Sequence, residues 1–238
     1  MRNLIIDIGN CRIKTGLFWS NKLQEERWFG LLSEVTQYAE SVEMDQTLVS
    51  SVREDQDTLR NEWSFDFLYF DHTLPIPIFN RYSTPQTLGL DRLAAVIGAL
   101  DWAQGPLLSI DMGTCITYDL LDESRNYLGG AISPGLQMRA RAMHEFTAKL
   151  PMVSFDQSVK AVGDSTETCL QSGIFHGVKG EILGFVDQYA QNHTDLKVFI
   201  CGGDANYFES LTKDHIFVIP NLVLHGLNRI LTYNVEKN

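Results

Sequence analysis

Two short strings in this chain have the residue types to hold a polyphosphate. Residues 6–11 read Ile-Asp-Ile-Gly-Asn-Cys, and residues 110–115 read Ile-Asp-Met-Gly-Thr-Cys. In each, an aspartate (Asp7, Asp111) ends an apolar run and a glycine (Gly9, Gly113) follows two residues later. Amide, hydroxyl or thiol side chains come next (Asn10-Cys11, Thr114-Cys115). Glycine at such a turn lets backbone N–H groups come close to phosphate oxygens. The neighbouring carboxylate can hold a cation against those oxygens, directly or through water. One Asp-x-Gly alone is by default a capped turn, because Asp and Gly are the ordinary turn residues. The repetition is what points to phosphate gripped from two sides.

A third string, Gly89-Leu90-Asp91-Arg92, opens a segment in which Leu93, Val96, Ile97 and Leu100 recur at helical spacing. Two readings fit Asp91. It is a carboxylate favoured by the helix N-terminus, or it accepts the proton of an attacking hydroxyl while Arg92 holds an anionic group. Phosphoryl transfer asks mostly for positioning and charge neutralisation, so one carboxylate beside a metal-bound triphosphate suffices. Lys14, on the strand after the first turn, reads either as a phosphate ligand or as a solvated strand residue. Gly202-Gly203, after the apolar run Val198–Cys201, reads by itself as a tight turn.

The elements that must position these residues also repeat. Each Asp-x-Gly turn joins two strand-like runs into a hairpin. A third strand (Glu25–Phe29; Tyr127–Ile132) and a helix (Ser33–Val42; Pro134–Phe146) follow. Pro134 suits a first helical turn, where its missing N–H has no partner. Two β-β-β-α copies imply duplication. Further strands are expected at Thr47–Val52, Phe65–Phe70 and Leu196–Cys201. Helices are expected at Asp55–Trp63, Leu90–Ala103, Ser165–Gln191 (interrupted by glycines at 173, 177, 180 and 184) and Asn221–Thr232. Alternating strands and helices make the fold class α/β. Two related domains are expected, residues 1–105 and 106–238, with the boundary near Gly105-Pro106.

Bulk properties narrow the partners. The chain has 238 residues and a net charge of −11, and no run of Lys and Arg. Nucleic acid is therefore not an expected partner. No stretch approaches the roughly 20 apolar residues of a membrane span, and the apolar N-terminal run breaks at Asp7, too early for a signal peptide. The 4 cysteines form no CxxC pair and the 6 histidines show no HExxH spacing, which leaves free thiols in a reducing cytoplasm as the simplest reading. Arg139 and Arg141 read as solvated helix charges, and Trp19, Trp28, Trp63 and Trp102 as core or interface residues.

The paired phosphate strings resemble those of the actin-like ATPase and sugar-kinase superfamily, a resemblance that adds the expectation of an element near an adenosine at Gly202-Gly203. The ordered set Asp7-Ile8-Gly9-Asn10, Gly89-Leu90-Asp91-Arg92, Asp111-Met112-Gly113-Thr114, Gly129–Gly135 and Gly163-Asp164-Ser165-Thr166 is similar to the type III pantothenate kinases over nearly the whole chain. The resemblance implies two duplicated actin-like (ribonuclease H-like) domains with a nucleotide cleft between them. It implies ATP along Asp7, Ile8, Gly9, Asn10, Cys11, Arg12, Ile13 and Lys14 and at Thr114. Pantothenate would contact Tyr82, Gly89, Leu90, Asp91, Arg92 and Thr166, with Asp91 as proton acceptor. Asp111 would hold a monovalent cation, K⁺ or NH₄⁺, in addition to Mg²⁺. The implied reaction is phosphorylation of pantothenate to 4′-phosphopantothenate by a cytoplasmic homodimer whose acceptor pocket lies near the subunit interface. Cations at the site would answer the acidity of the chain, since both substrates are anions. One departure is Cys11, where the family commonly has Thr or Ser. A thiol donates a hydrogen bond poorly, and Cys11 reads best as a small buried apolar side chain. Two alternatives are a kinase of the same superfamily acting on a sugar or acetate, and a regulatory protein that keeps the fold without catalysis. Gly89–Arg92 and Thr166 weigh against the first. Asp7, Asp91, Asp111 and Arg92 together weigh against the second.

Overall fold

The computed structural model describes residues 1–10, 12–156 and 158–237. They form two compact units: Met1–Trp102 together with the segment from Leu222 onward, and Ala103–Asn221.

In the first unit, β1 (Arg2–Ile8), β2 (Ile13–Trp19) and β3 (Lys22–Phe29) precede α1 (Leu32–Ser41). Then come β4 (Gln46–Ser51), α2 (Gln56–Glu62), the short strands β5 (Leu68–Tyr69) and β6 (Phe79–Asn80), and α3 (Leu90–Ala99). The sheet runs β3-β2-β1-β4-β5. β1 pairs antiparallel with β2 and parallel with β4. Leu4, Ile6 and Ile8 pack with Val35, Tyr38 and Leu59 of the helices, while Ile5, between them, is also fully buried. A central strand covered on both faces reads as a continuous apolar run, and this one does.

The second unit repeats the plan. β7 (Leu107–Met112), β8 (Cys115–Leu121) and β9 (Asn126–Pro134) precede α4 (Leu136–Glu145) and α5 (Thr166–Ala190), then β10 (Lys197–Cys201) and β11 (Ile216–Val218). Its strands run β11-β10-β7-β8-β9, with β7 antiparallel to β8 and parallel to β10. The duplication expected from the repeated strings is thus present in the topology of each unit.

Several boundaries differ from the sequence expectation, each for a physical reason. The closing helix α6 (Leu222–Val235) belongs to the first unit, not to the division at residue 105. It lies against α3 through glycines. A Cβ at Gly98 would sit 2.2 Å from the Leu222 carbonyl oxygen, and one at Gly226 would sit 1.7 Å from that of Ala94. Pro134 ends β9, and Gly135 is the N-cap of α4. The Phe65–Phe70 strand shrinks to Leu68–Tyr69, because Phe65 and Phe67 pack on the Trp63 ring instead. α3 stops at Ala99, where Leu100 and Asp101 donate to Ile97 and Gly98 in a tightened last turn. α5 runs through its glycines unbroken. Its buried stripe of Leu170, Ile174, Val178, Ile182 and Val186 offsets a propensity cost of about 1 kcal/mol per glycine.

Candidate active site

In the first unit, Asp7 stands one residue before the end of β1, opposite Lys14 of β2. Asp7 keeps part of its surface exposed, yet it is packed closely enough that burial pushes its carboxyl from an ordinary 3.8 up to about 7. The negative charge of Asp91 adds to the rise, and Lys14 opposes it. The fold therefore brings two aspartates separated by 84 positions (91 − 7) into electrostatic contact. Asp91 lies in the first turn of α3, exposed, with Oδ1 accepting the Arg92 N–H at 2.8 Å. It thus acts as a helix N-terminal carboxylate while its charge acts on Asp7. A Cβ at Gly89 would fall 2.4 Å from Asp91 Oδ1, so a side chain there would displace that carboxylate. Arg92 is 6% exposed, with its guanidinium carbon 5.8 Å from the Tyr82 ring centroid. Tyr82, Gly89, Asp91 and Arg92 are thereby gathered at one end of α3. Leu90 is half-buried against a small cavity that also touches Phe70, Ile78 and Leu93.

The first turn joins Ile8 to Ile13. Gly9 donates its N–H to the Arg12 carbonyl at 3.0 Å, and Val52 donates to the Ile8 carbonyl at 3.1 Å. The Gly9 donor is used inside the turn and is not turned outward. Ile8 and Ile13 are fully buried, so they can offer a ligand backbone only. Asn10 and Arg12 are exposed. Cys11 lies outside the described residues. Lys14 is not a solvated strand residue: its ammonium is 3.0 Å from Glu26 Oε1 and 4.6 Å from the Trp28 ring centroid, and the Arg12 guanidinium also lies over that ring. Glu26 and Trp28 of β3 were not among the expected site residues. Their signal in the sequence was alternation, which puts both on the Lys14 side of the hairpin.

In the second unit, Asp111 stands one residue before the end of β7, opposite Thr117. The turn is only Gly113 and Thr114, with the Gly113 N–H donated to the Cys115 carbonyl at 3.1 Å. Thr114 is exposed, and its carbonyl accepts the Gly135 N–H at 3.0 Å. Gly202, in the left-handed region at φ +92°, closes on Asp111: a Cβ there would lie 2.3 Å from Oδ1 and 2.6 Å from the Met112 nitrogen. The Gly202-Gly203 pair is thus a tight turn built around the aspartate. Asp204 follows, its N–H on the Met112 carbonyl and its carboxyl pushed up by burial. Thr166, the first residue of α5, is exposed and borders a groove of about 1040 Å³ lined by Met138, Met143, Leu150, Leu170 and Ile174. Arg139 is half-buried and paired with Glu181 at 2.6 Å, which corrects its reading as a solvated charge. Arg141 is exposed. Among the described residues, no three His, Cys, Asp or Glu side chains cluster as a metal site, and no helix is long and apolar enough to cross a membrane.

A topology of two β-β-β-α units with aspartates at equivalent strand ends defines an actin-like fold. MreB5 of Spiroplasma citri bound to ADP superposes with a TM-score of 0.51 at 10% identity, covering 100% of this chain and 99% of that one. A Campylobacter jejuni protein assigned to the Baf family of transcriptional activators superposes at 0.66 with 22% identity, covering 98% and 99%. The family relation is closer still in sequence. The family model for type III pantothenate kinase matches residues 3–188. The type III pantothenate kinase of Christiangramia forsetii is 41% identical over 240 residues, 98% of each chain, and that of Phocaeicola vulgatus is 40% identical over 239 residues, again 98% of each. This chain belongs to the type III pantothenate kinase family.

Proposed function

We infer that this chain transfers the γ-phosphoryl group of ATP to the primary hydroxyl of pantothenate, giving 4′-phosphopantothenate and ADP at the first step of coenzyme A biosynthesis. The observation that carries this reading is the electrostatic contact of Asp7 with Asp91 beside the buried Arg92, in a chain of this family. Asp91 is the acceptor of the hydroxyl proton. One of its oxygens stays on the helix N-terminus, and the other serves the substrate. The hydroxyl oxygen bonds to the γ-phosphorus as the bond to the β,γ-bridging oxygen breaks, and the electron pair leaves with ADP. Arg92, held under Tyr82, takes the carboxylate of pantothenate. Residues 7–14, with the Lys14 ammonium, and Thr114 are assigned to the phosphates of the nucleotide.

A divalent cation such as Mg²⁺ fits at Asp7, because it would compensate a carboxylate charge that the fold leaves disfavoured. When bound, it neutralises the β- and γ-phosphate oxygens. Asp111 would be the residue to hold a monovalent cation, which would supply positive charge against the anionic substrates. A homodimer fits the exposed face of α5, where Cβ positions at Gly173, Gly177, Gly180 and Gly184 meet nothing within 4 Å, and the apolar groove beside it that Thr166 borders. A cytoplasmic location accords with the free thiols of Cys115, Cys169 and Cys201.

A coupled ATP-consumption assay tests the reading. Turnover is expected with pantothenate and not with sugars or acetate, and expected to collapse when Na⁺ replaces K⁺. No pantothenate-dependent turnover would end the functional reading, and equal rates in the two salts would remove Asp111 as a cation ligand. Asp91→Asn is expected to lower kcat by about 10²–10⁴-fold with an unchanged melting curve. Full activity in that variant would take Asp91 out of the mechanism.

A further inference from the structure

Glu181 lies midway along α5 and is not among the residues assigned above to substrate or nucleotide. Its carboxylate nonetheless gathers three elements. Oε1 accepts from the Tyr118 hydroxyl of β8 at 2.9 Å and from the Ser133 hydroxyl of β9 at 2.5 Å. Oε2 accepts from Arg139 Nη2 of α4 at 2.6 Å. Arg139 in turn donates Nε to the Pro134 carbonyl at 2.7 Å. Both ends of the Arg139–Glu181 pair are about three-quarters buried, with side-chain exposures of 24% and 23%. Charge-assisted bonds in such a setting are roughly twice as strong as neutral ones.

The segment so anchored, Ser133-Pro134-Gly135, is the seat of the second phosphate turn. Ser133 pairs with Ile116 and Pro134 with Cys115 across the β8–β9 ladder. Gly135 donates to the Thr114 carbonyl. A Cβ at Gly135 would lie 2.3 Å from the Gly113 carbonyl oxygen and 2.7 Å from that of Thr114. A turn resting this closely on a neighbouring backbone moves when that backbone moves.

We propose that Glu181 is a positioning residue for nucleotide binding: through Ser133 and Arg139 it fixes Ser133–Gly135, and that segment sets the orientation of the Gly113-Thr114 turn. This rests on the reading of Thr114 as a phosphate contact. A purely structural role would spread its effects over stability and over both substrates alike. A positioning role acts on the nucleotide alone and runs through Ser133, because Ser133 leads to the turn, whereas Tyr118 sits in the middle of β8.

The test compares Ser133→Ala with Tyr118→Phe, each of which deletes one hydroxyl donor to the same oxygen, together with Glu181→Gln. ADP affinity by calorimetry and KM for ATP and for pantothenate are the readouts. Ser133→Ala and Glu181→Gln are expected to weaken ADP and raise the ATP KM about five- to tenfold, with the pantothenate KM within about twofold of wild type. Tyr118→Phe is expected to leave both nucleotide measures at wild type even where its melting temperature falls. Equal nucleotide effects from Ser133→Ala and Tyr118→Phe, or none from Ser133→Ala, would overturn the proposal. A wild type that binds ADP without turning over pantothenate would defeat the functional reading and still leave the affinity ratios to judge Glu181.

Discussion

The two Asp-x-Gly hairpins share one topology and differ in what surrounds the aspartate. In the first unit four residues separate β1 from β2, and burial and charged groups supply the environment: Asp91 and Lys14 act on the buried Asp7 carboxyl, and Lys14 is paired with Glu26. In the second the turn is the two residues Gly113 and Thr114, and backbone supplies the environment, Gly202 against Asp111 and Gly135 against the turn carbonyls. A duplicated fold can thus turn one copy into an adjustable electrostatic site and keep the other as a sterically defined seat. Phosphoryl transfer in general draws on both charge neutralisation and positioning.

The sharpest way to break this comparison is Asp7→Asn. Turnover should fall on the order of 100-fold or more, since the variant removes a carboxylate proposed to face the metal-bound phosphates. The ligand-free protein should respond in the opposite sense. The folded Asp7 carboxyl titrates near 7 against 3.8 when unfolded, so the folded state binds more protons between those values. Its stability contribution is complete below pH 3.8 and is lost as pH rises towards 7. At pH 8 Asp7→Asn should therefore stabilise the ligand-free protein, by about 1–3 kcal/mol, and at pH 4 the gain should vanish. Denaturant melts at the two pH values check this. A variant less stable at pH 8 would mean that Asp7 is a structural anchor like its counterpart.

A smaller effect sharpens the second unit. Gly202→Ala forces a side chain into the left-handed region and onto Asp111, and should cost about 1–3 kcal/mol for the backbone alone, with activity lost in proportion to folded protein. Gly203→Ala, with nothing within 4 Å, should stay within about 0.5 kcal/mol. Equal melting temperatures for the two variants would show that Asp111 is not sterically seated. The smallest effect expected on activity comes from Trp28→Ala. The exposed ring under Lys14 and Arg12 is worth about 0.5–1 kcal/mol, so the ATP KM should rise roughly two- to fivefold with kcat unchanged. A change in kcat would place Trp28 closer to the chemistry than its strand position suggests.

Much of this was readable before any coordinates. The hairpins, the helix after Ser165 and the buried run before Cys201 all follow from apolar period, capping residues and glycine placement, which are local properties. Ser165 caps α5 with Thr168 reciprocating, as a hydroxyl before an apolar periodic run suggests. The candidate site residues were chosen by type, by order along the chain and by family resemblance. Their neighbours were not. Glu26, Trp28 and Glu181 carry no motif, because a side chain that supports another is defined by who stands beside it.

By itself, the sequence determined two α/β units, the strand ends that bear Asp7 and Asp111, the helix start that bears Asp91, and membership of a kinase family. These depend on short-range periodicity and on residue types whose chemistry is intrinsic. Tertiary structure alone decided that the last helix folds back onto α3 through Gly98 and Gly226. It also decided that Asp91 raises the proton affinity of Asp7 and that Gly202 closes over Asp111. Each is a contact between residues far apart in the chain, and burial, Coulomb interaction and steric exclusion act on distance in space, which no local pattern records.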